Sequence, residues 1–126
     1  MKLTRFHALK ILEWCQREYG NSKYNKGYLT LEFRSPSEIT GYVLGYYDDI
    51  ENMIHINSKD HEDLEDLCKT VIEEYSHYLN NDKEYQKLFE KYDYDTHPHE
   101  IQSKRLAEKD YLRCLSDLKE SYKQFQ

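Results

Sequence analysis

Two acids and a histidine interrupt the apolar run Thr70-Val71-Ile72-Glu73-Glu74-Tyr75-Ser76-His77-Tyr78-Leu79. On a helix, Glu73 and His77 are four residues apart and project from one face, a turn from each other. Glu74 lies about 100° round from Glu73, beside that pair. An i, i+4 pair of ligands can grip one divalent cation, and a carboxylate next to it is placed to take a proton from an attacking water. Further along, His97-Pro98-His99-Glu100 offers more ligand-type side chains.

Such a site needs elements to hold it, and the patterning supplies them. Apolar residues from Leu3 to Tyr19 (Phe6, Ala8, Leu9, Ile11, Leu12, Cys15) recur at helical spacing, with Thr4 able to cap one end and Gly20 to stop the other. Three short strands follow, at Tyr28–Phe33, Gly41–Tyr47 and Met53–Asn57. Ser35-Pro36-Ser37 and Asp48–Asn52 turn the chain between them. The glycines of the second strand suggest a bulge or a close approach. Close spacing predicts an antiparallel meander.

Ser58 or Asp60 caps the central helix, whose Leu64, Leu67, Cys68, Val71, Ile72, Tyr75 and Leu79 form a broad apolar surface. A short helix covers Lys83 to Lys91. Pro98 then opens a last helix, capped by Asp95 or Thr96, with a seam of Ile101, Tyr111, Leu115, Leu118, Tyr122 and Phe125 expected to pack on the first helix. The fold class is therefore α+β. Residues 1–126 read as one domain.

Composition removes several function classes. A net charge of -6 with mixed signs disfavours nucleic acid as the main partner. Cys15, Cys68 and Cys114 are odd in number and widely spaced, so they read as buried apolar side chains and not as a disulfide or zinc framework. No apolar stretch approaches membrane-spanning length, and the N-terminal stretch lacks the apolar segment of a signal peptide. A cytoplasmic, membrane-free setting is expected. His7 and His61 read as surface residues, and His55 as an exposed strand residue on the side opposite Ile54 and Ile56.

The order of elements, together with Glu73-Glu74-Tyr75-Ser76-His77 and His97-Pro98-His99-Glu100, resembles the minimal gluzincin or SprT-like zinc metallopeptidases, small phage and bacterial members included. The resemblance covers residues 1 to 115 and implies a zincin-like fold. It implies Glu73, His77 and Glu100 as metal ligands and Glu74 as general base, with Tyr92 or Tyr94, or else Tyr111, as the hydroxyl that steadies an oxyanion. By the same resemblance, strand Met53–Asn57 is where an extended peptide substrate could add.

This chain departs from the H-E-x-x-H pattern at one position, where Glu73 stands in place of the first histidine. Two carboxylates and one imidazole nearly neutralise a divalent cation, weaken it as a Lewis acid, and suit manganese or iron better than an imidazole-rich set does. Either His97 or His99 could swing in to replace the missing imidazole. Two functions follow. One is a metallopeptidase acting on a peptide or protein substrate, with zinc, manganese or another divalent ion. The other is a pseudoenzyme that binds no metal and serves as a binding or structural module, for instance in a phage.

Overall fold

The computed structural model describes residues 1–35 and 43–126. It contains α1 (Arg5–Tyr19), β1 (Thr30–Arg34), β2 (Gly45–Asp48), β3 (Met53–Asn57), α2 (Leu64–Leu79), α3 (Asp82–Leu88) and α4 (Pro98–Ser121). A 3-10 turn, Lys123–Phe125, follows α4. The class is α+β, as the periodicities predict. Pro36, Ser37, Gly41 and Tyr42 of the expected turn and second strand lie outside the described residues. No helix among the described residues is long and apolar enough to cross a membrane.

Local chemistry sets the helix ends. Thr4 is the N-cap of α1, and Gly20 ends that helix with φ +76°, a value favouring glycine. The cap of α2 is Asp63, which accepts from the Asp66 N–H at 2.9 Å. Ser58 and Asp60 do not serve, because the chain is still leaving the sheet there and Asp60 is engaged by the Asn57 side chain at 2.8 Å. The cap of α4 is His97, whose Nδ1 accepts from the His99 N–H at 3.1 Å, with Pro98 in the first turn. Asp95 and Thr96 do not cap it; Thr96 instead donates to Asp93 in the turn before.

The sheet differs from a meander. Its order is β1-β3-β2, with β1 parallel to β3 and β2 antiparallel to β3. The β2–β3 hairpin forms as expected, and Asn52 takes the positive φ that its turn requires. β1 ends at Arg34 and β2 begins at Gly45, so the two need not be neighbours in the sheet. β3 is therefore the central strand, bonded on both sides, and no substrate can add to it. Among the described residues β2 forms one edge of the sheet.

One face of this sheet meets α2. Leu29, Leu31, Ile54 and Ile56 are buried against Leu64, Leu67, Val71 and Ile72, with Ala8, Ile11 and Cys15 of α1 closing one side. The C-terminal seam is buried at Leu115, Leu118 and Phe125, but α4 packs chiefly on α2 and only lightly on α1. All three cysteines are buried and free. His7 and His61 are also buried, contrary to the sequence expectation, because each finds partners that spacing cannot reveal. His7 Nε2 donates to Gln124 O at 2.8 Å, and His61 Nδ1 donates to Asn57 O at 2.8 Å with Thr70 Oγ1 2.9 Å from its Nε2.

Gly45 lets β2 pack closely on both β3 and α2. A Cβ there would stand 2.9 Å from the His55 carbonyl oxygen and 3.0 Å from Thr70 Cγ2. Gly45→Ala should therefore destabilise the protein by about 1–3 kcal/mol, the usual cost of overpacking, read as a lowered denaturant midpoint. An unchanged midpoint would mean the sheet is not held this tightly to α2.

Burial lowers the pKa of His61 below its ordinary 6.5. Its contribution to stability is accordingly intact above pH 6.5 and is lost as the pH falls through the depressed folded value. His61→Gln should flatten that part of the acid unfolding curve. An identical pH slope in wild type and variant would refute the assignment.

Candidate functional site

The helix α2 turns a ridge of Glu74 and His77 toward β2, and these two residues line a pocket of about 260 Å³. Its other walls come from Gly45, Tyr46 and Tyr47 of β2, Asn80 and Asn81 after α2, Tyr85 of α3, Tyr94, and His99 and Glu100 of the first turn of α4. Pro98 starts that helix and so brings His99 and Glu100 to the pocket together.

His77 Nε2 lies 3.2 Å from Glu100 Oε1, and the Tyr85 hydroxyl donates to the same oxygen at 2.6 Å. Tyr94 also stands beside Glu100 and favours its charge. Burial works against the Glu100 charge, but the contacts with His77 and Tyr85, with Tyr94 beside them, outweigh it and hold the carboxyl down at about 2. Burial likewise opposes charge on His77, yet the Glu100 hydrogen bond, with Glu74 and Glu73 nearby, raises its pKa. For Glu74, burial dominates and pushes the carboxyl up to about 8, against the favourable nearness of His77 and a hydrogen bond from the Tyr47 backbone. Two carboxyl groups beside one pocket are thus held in opposite protonation states at neutral pH.

Glu73 stands apart from this arrangement. It is half-buried but does not line the pocket, and burial raises its pKa while Lys104 of α4 pulls it down. Its other charged neighbours include Glu100 and Glu108, also on α4. The i, i+4 stripe is real, but α2 is rotated so that Glu74 and His77, an i, i+3 pair, face the opening.

Tyr94 lines the pocket, whereas Tyr92 is 39% exposed and does not. Tyr111 lies under the Lys69 ammonium, away from the site. Tyr85 was not singled out by spacing, since thirteen tyrosines give no way to choose among them. Its ring is packed against those of His77, His97 and His99, 5.4, 4.3 and 5.9 Å between centroids. His97 is fully used: its Nδ1 accepts from His99 N–H, and its Nε2 donates to Tyr85 O at 2.8 Å. His97 therefore cannot act as a ligand without giving up either the cap of α4 or its bond to Tyr85 O.

Two ligands of one tetrahedral ion, each about 2.0–2.2 Å from it, stand about 3.3–3.6 Å apart. The 3.2 Å between His77 Nε2 and Glu100 Oε1 comes close to that spacing. Glu73 does not complete a set of three. Among the described residues, three ligand-type atoms come within 4.8 Å of one another only at Asp48, Glu51 and His55, on the β2–β3 hairpin. There His55 stacks on Tyr46 with centroids 4.5 Å apart. Tyr46 and His55 are paired in the sheet, while the neighbouring Tyr47 packs on Tyr78 of α2. Alternation along β2 sends Tyr46 to the opposite face, so this group lies away from α2.

No protein-family model matches this chain, and no curated protein or solved structure matches it either.

The opposed pKa shifts give a pH signature in protein stripped of divalent ions. The Glu100 contribution to stability is intact above its ordinary 4.5 and lost as pH falls toward about 2; the His77 contribution is intact below 6.5 and lost as pH rises through its raised value. The pair therefore stabilises most between pH 4.5 and 6.5. Side-chain nitrogen NMR should find His77 titrating above 6.5 in wild type and lower in Glu100→Gln. A wild-type His77 titrating at the ordinary value would contradict the pairing.

Proposed function

We propose that this chain is a zincin-like domain whose pocket holds a divalent cation on His77 and Glu100 and hydrolyses peptide bonds with Glu74 as general base. The observation that carries the reading is the 3.2 Å approach of His77 and Glu100, two residues far apart in sequence that the motif pairs as ligands of one ion. A cation bound there would polarise a carbonyl and acidify a water. Zinc suits an imidazole–carboxylate pair, and manganese is the alternative if further carboxylates join it.

The remaining chemistry belongs to the chain. Glu74 keeps its proton at neutral pH with only protein around it, and a neighbouring positive charge favours its ionised form, in which it can accept a proton. Tyr85 fixes the Glu100 carboxylate by donating to it, and Tyr94, bordering the opening, supplies the hydroxyl to meet a developing oxyanion. An extended peptide would lie along β2, which among the described residues is an edge strand and borders the pocket.

One observation favours the second reading, a catalytically inactive binding module. Among the described residues the pocket presents a pair of donors at ligand spacing, not a triple.

Titration with Zn2+ and with Mn2+, paired with hydrolysis of casein-type peptides, separates the two. Cation binding should be abolished in His77→Ala. Glu74→Gln should keep it and lose turnover by about 10²–10⁴-fold, the usual worth of a general base. Binding without any wild-type hydrolysis selects the module; no binding of either ion sinks the metal reading altogether.

A further inference from the structure

A catalytic metal site takes three protein donors, and the pocket supplies two at the right spacing. The third has to come from a side chain that borders the same pocket, has a free lone pair and is not committed elsewhere. Glu73 fails the first condition, since it does not line the pocket. Glu74 lines it, but is the proton acceptor of the proposed reaction. His97 has both ring nitrogens engaged.

His99 meets all three conditions. It lines the pocket and is only 7% exposed, yet its Nδ1 has no hydrogen-bond partner among the described residues. A buried polar atom left without a partner is rare and costs stability, so its retention calls for a reason. The other ring nitrogen is informative. His99 Nε2 lies 3.4 Å from Glu84 Oε1, and that carboxylate favours the proton on Nε2. Nδ1 is then the unprotonated nitrogen, with its lone pair available. A carboxylate behind one imidazole nitrogen and an open lone pair on the other is the arrangement that metal-binding histidines use to fix their tautomer.

We infer that His99, backed by Glu84, is the third protein ligand of the site, replacing the imidazole that Glu73 lacks. This rests on the metal reading above. The ligand set becomes two histidines and one glutamate, a known set for catalytic zinc, with net charge −1 in place of −2. As it stands His99 is not within 4.8 Å of both His77 and Glu100, so ligation requires its ring to move toward the pair; both His99 and Glu100 sit in the first turn of α4 and border the same pocket, and Glu73 stays near Lys104.

The test is Zn2+ binding to the full chain by calorimetry, with nitrogen NMR of the histidine rings in wild type. Adding Zn2+ should move His99 Nδ1 and leave both His97 nitrogens in place. His99→Gln should weaken Zn2+ at least 100-fold, Glu84→Gln about 10–100-fold as for a partner behind a ligand, and Glu73→Gln less than fivefold. If Glu73→Gln abolishes Zn2+ binding while His99→Gln keeps it, the inference is overturned and the metal reading survives. If wild type binds no Zn2+, both fall. Should His99→Gln not fold, the wild-type ring nitrogens alone decide: an unmoved His99 Nδ1 at saturating Zn2+ refutes the assignment.

Discussion

A carboxylate taken out of water must be paired and hydrogen-bonded or give up its charge. Glu100, buried at the start of α4, meets that demand with partners from two elements, His77 from α2 and Tyr85 from α3, with Tyr94 of the loop before α4 beside them. Each partner is thereby tied to the others. The short helix α3 has little apolar surface of its own, and through Tyr85 it is fastened both to Glu100 and, by its carbonyl, to His97. The His97 ring in turn caps the helix that carries Glu100. Caps, ion pair and pocket are one connected set of polar bonds laid over an apolar core, so the chemistry and the placing of α4 are satisfied by the same atoms.

Much of the scaffold is legible in the sequence, because a repeating pattern encodes it. The apolar stripe of α2, the strand Met53–Asn57, the Gly20 stop and the Pro98 start all follow from period or from backbone restrictions of single residues. Sheet order is not so encoded. A ten-residue connection permits β1 to pair with either later strand, and alternation along β1 is the same whether its neighbour runs parallel or antiparallel. The buried state of His7 and His61 was likewise hidden, because their partners are a distant carbonyl and the backbone of a loop.

The pocket was half legible. Helical geometry brings Glu73, Glu74 and His77 to neighbouring positions, but which two face outward depends on the rotation of α2. That rotation is set by Leu67, Val71, Ile72 and the close contact of Thr70 with Gly45, a matter of packing across the whole core. His97 and His99 differ by two residues and look equivalent in sequence. One is consumed as a helix cap and the other is left with an unused nitrogen. Hydrogen-bond bookkeeping distinguishes them where residue type cannot.

The parallel pairing of β1 with β3 bears on the order in which the molecule assembles. β2 and β3 can find each other across the four-residue link 49–52, whereas Thr30 and Met53, paired in register, are 53 − 30 = 23 residues apart. Closing the longer loop loses more chain entropy and yields nothing until the hairpin offers β3 as a template. The hairpin, with α2 packed on it through Gly45, should therefore form first, and α1 and β1 should join it as a later layer. Mutations in β2 and β3 should slow folding, and those in β1 should chiefly hasten unfolding, a division that φ-value measurements would read directly.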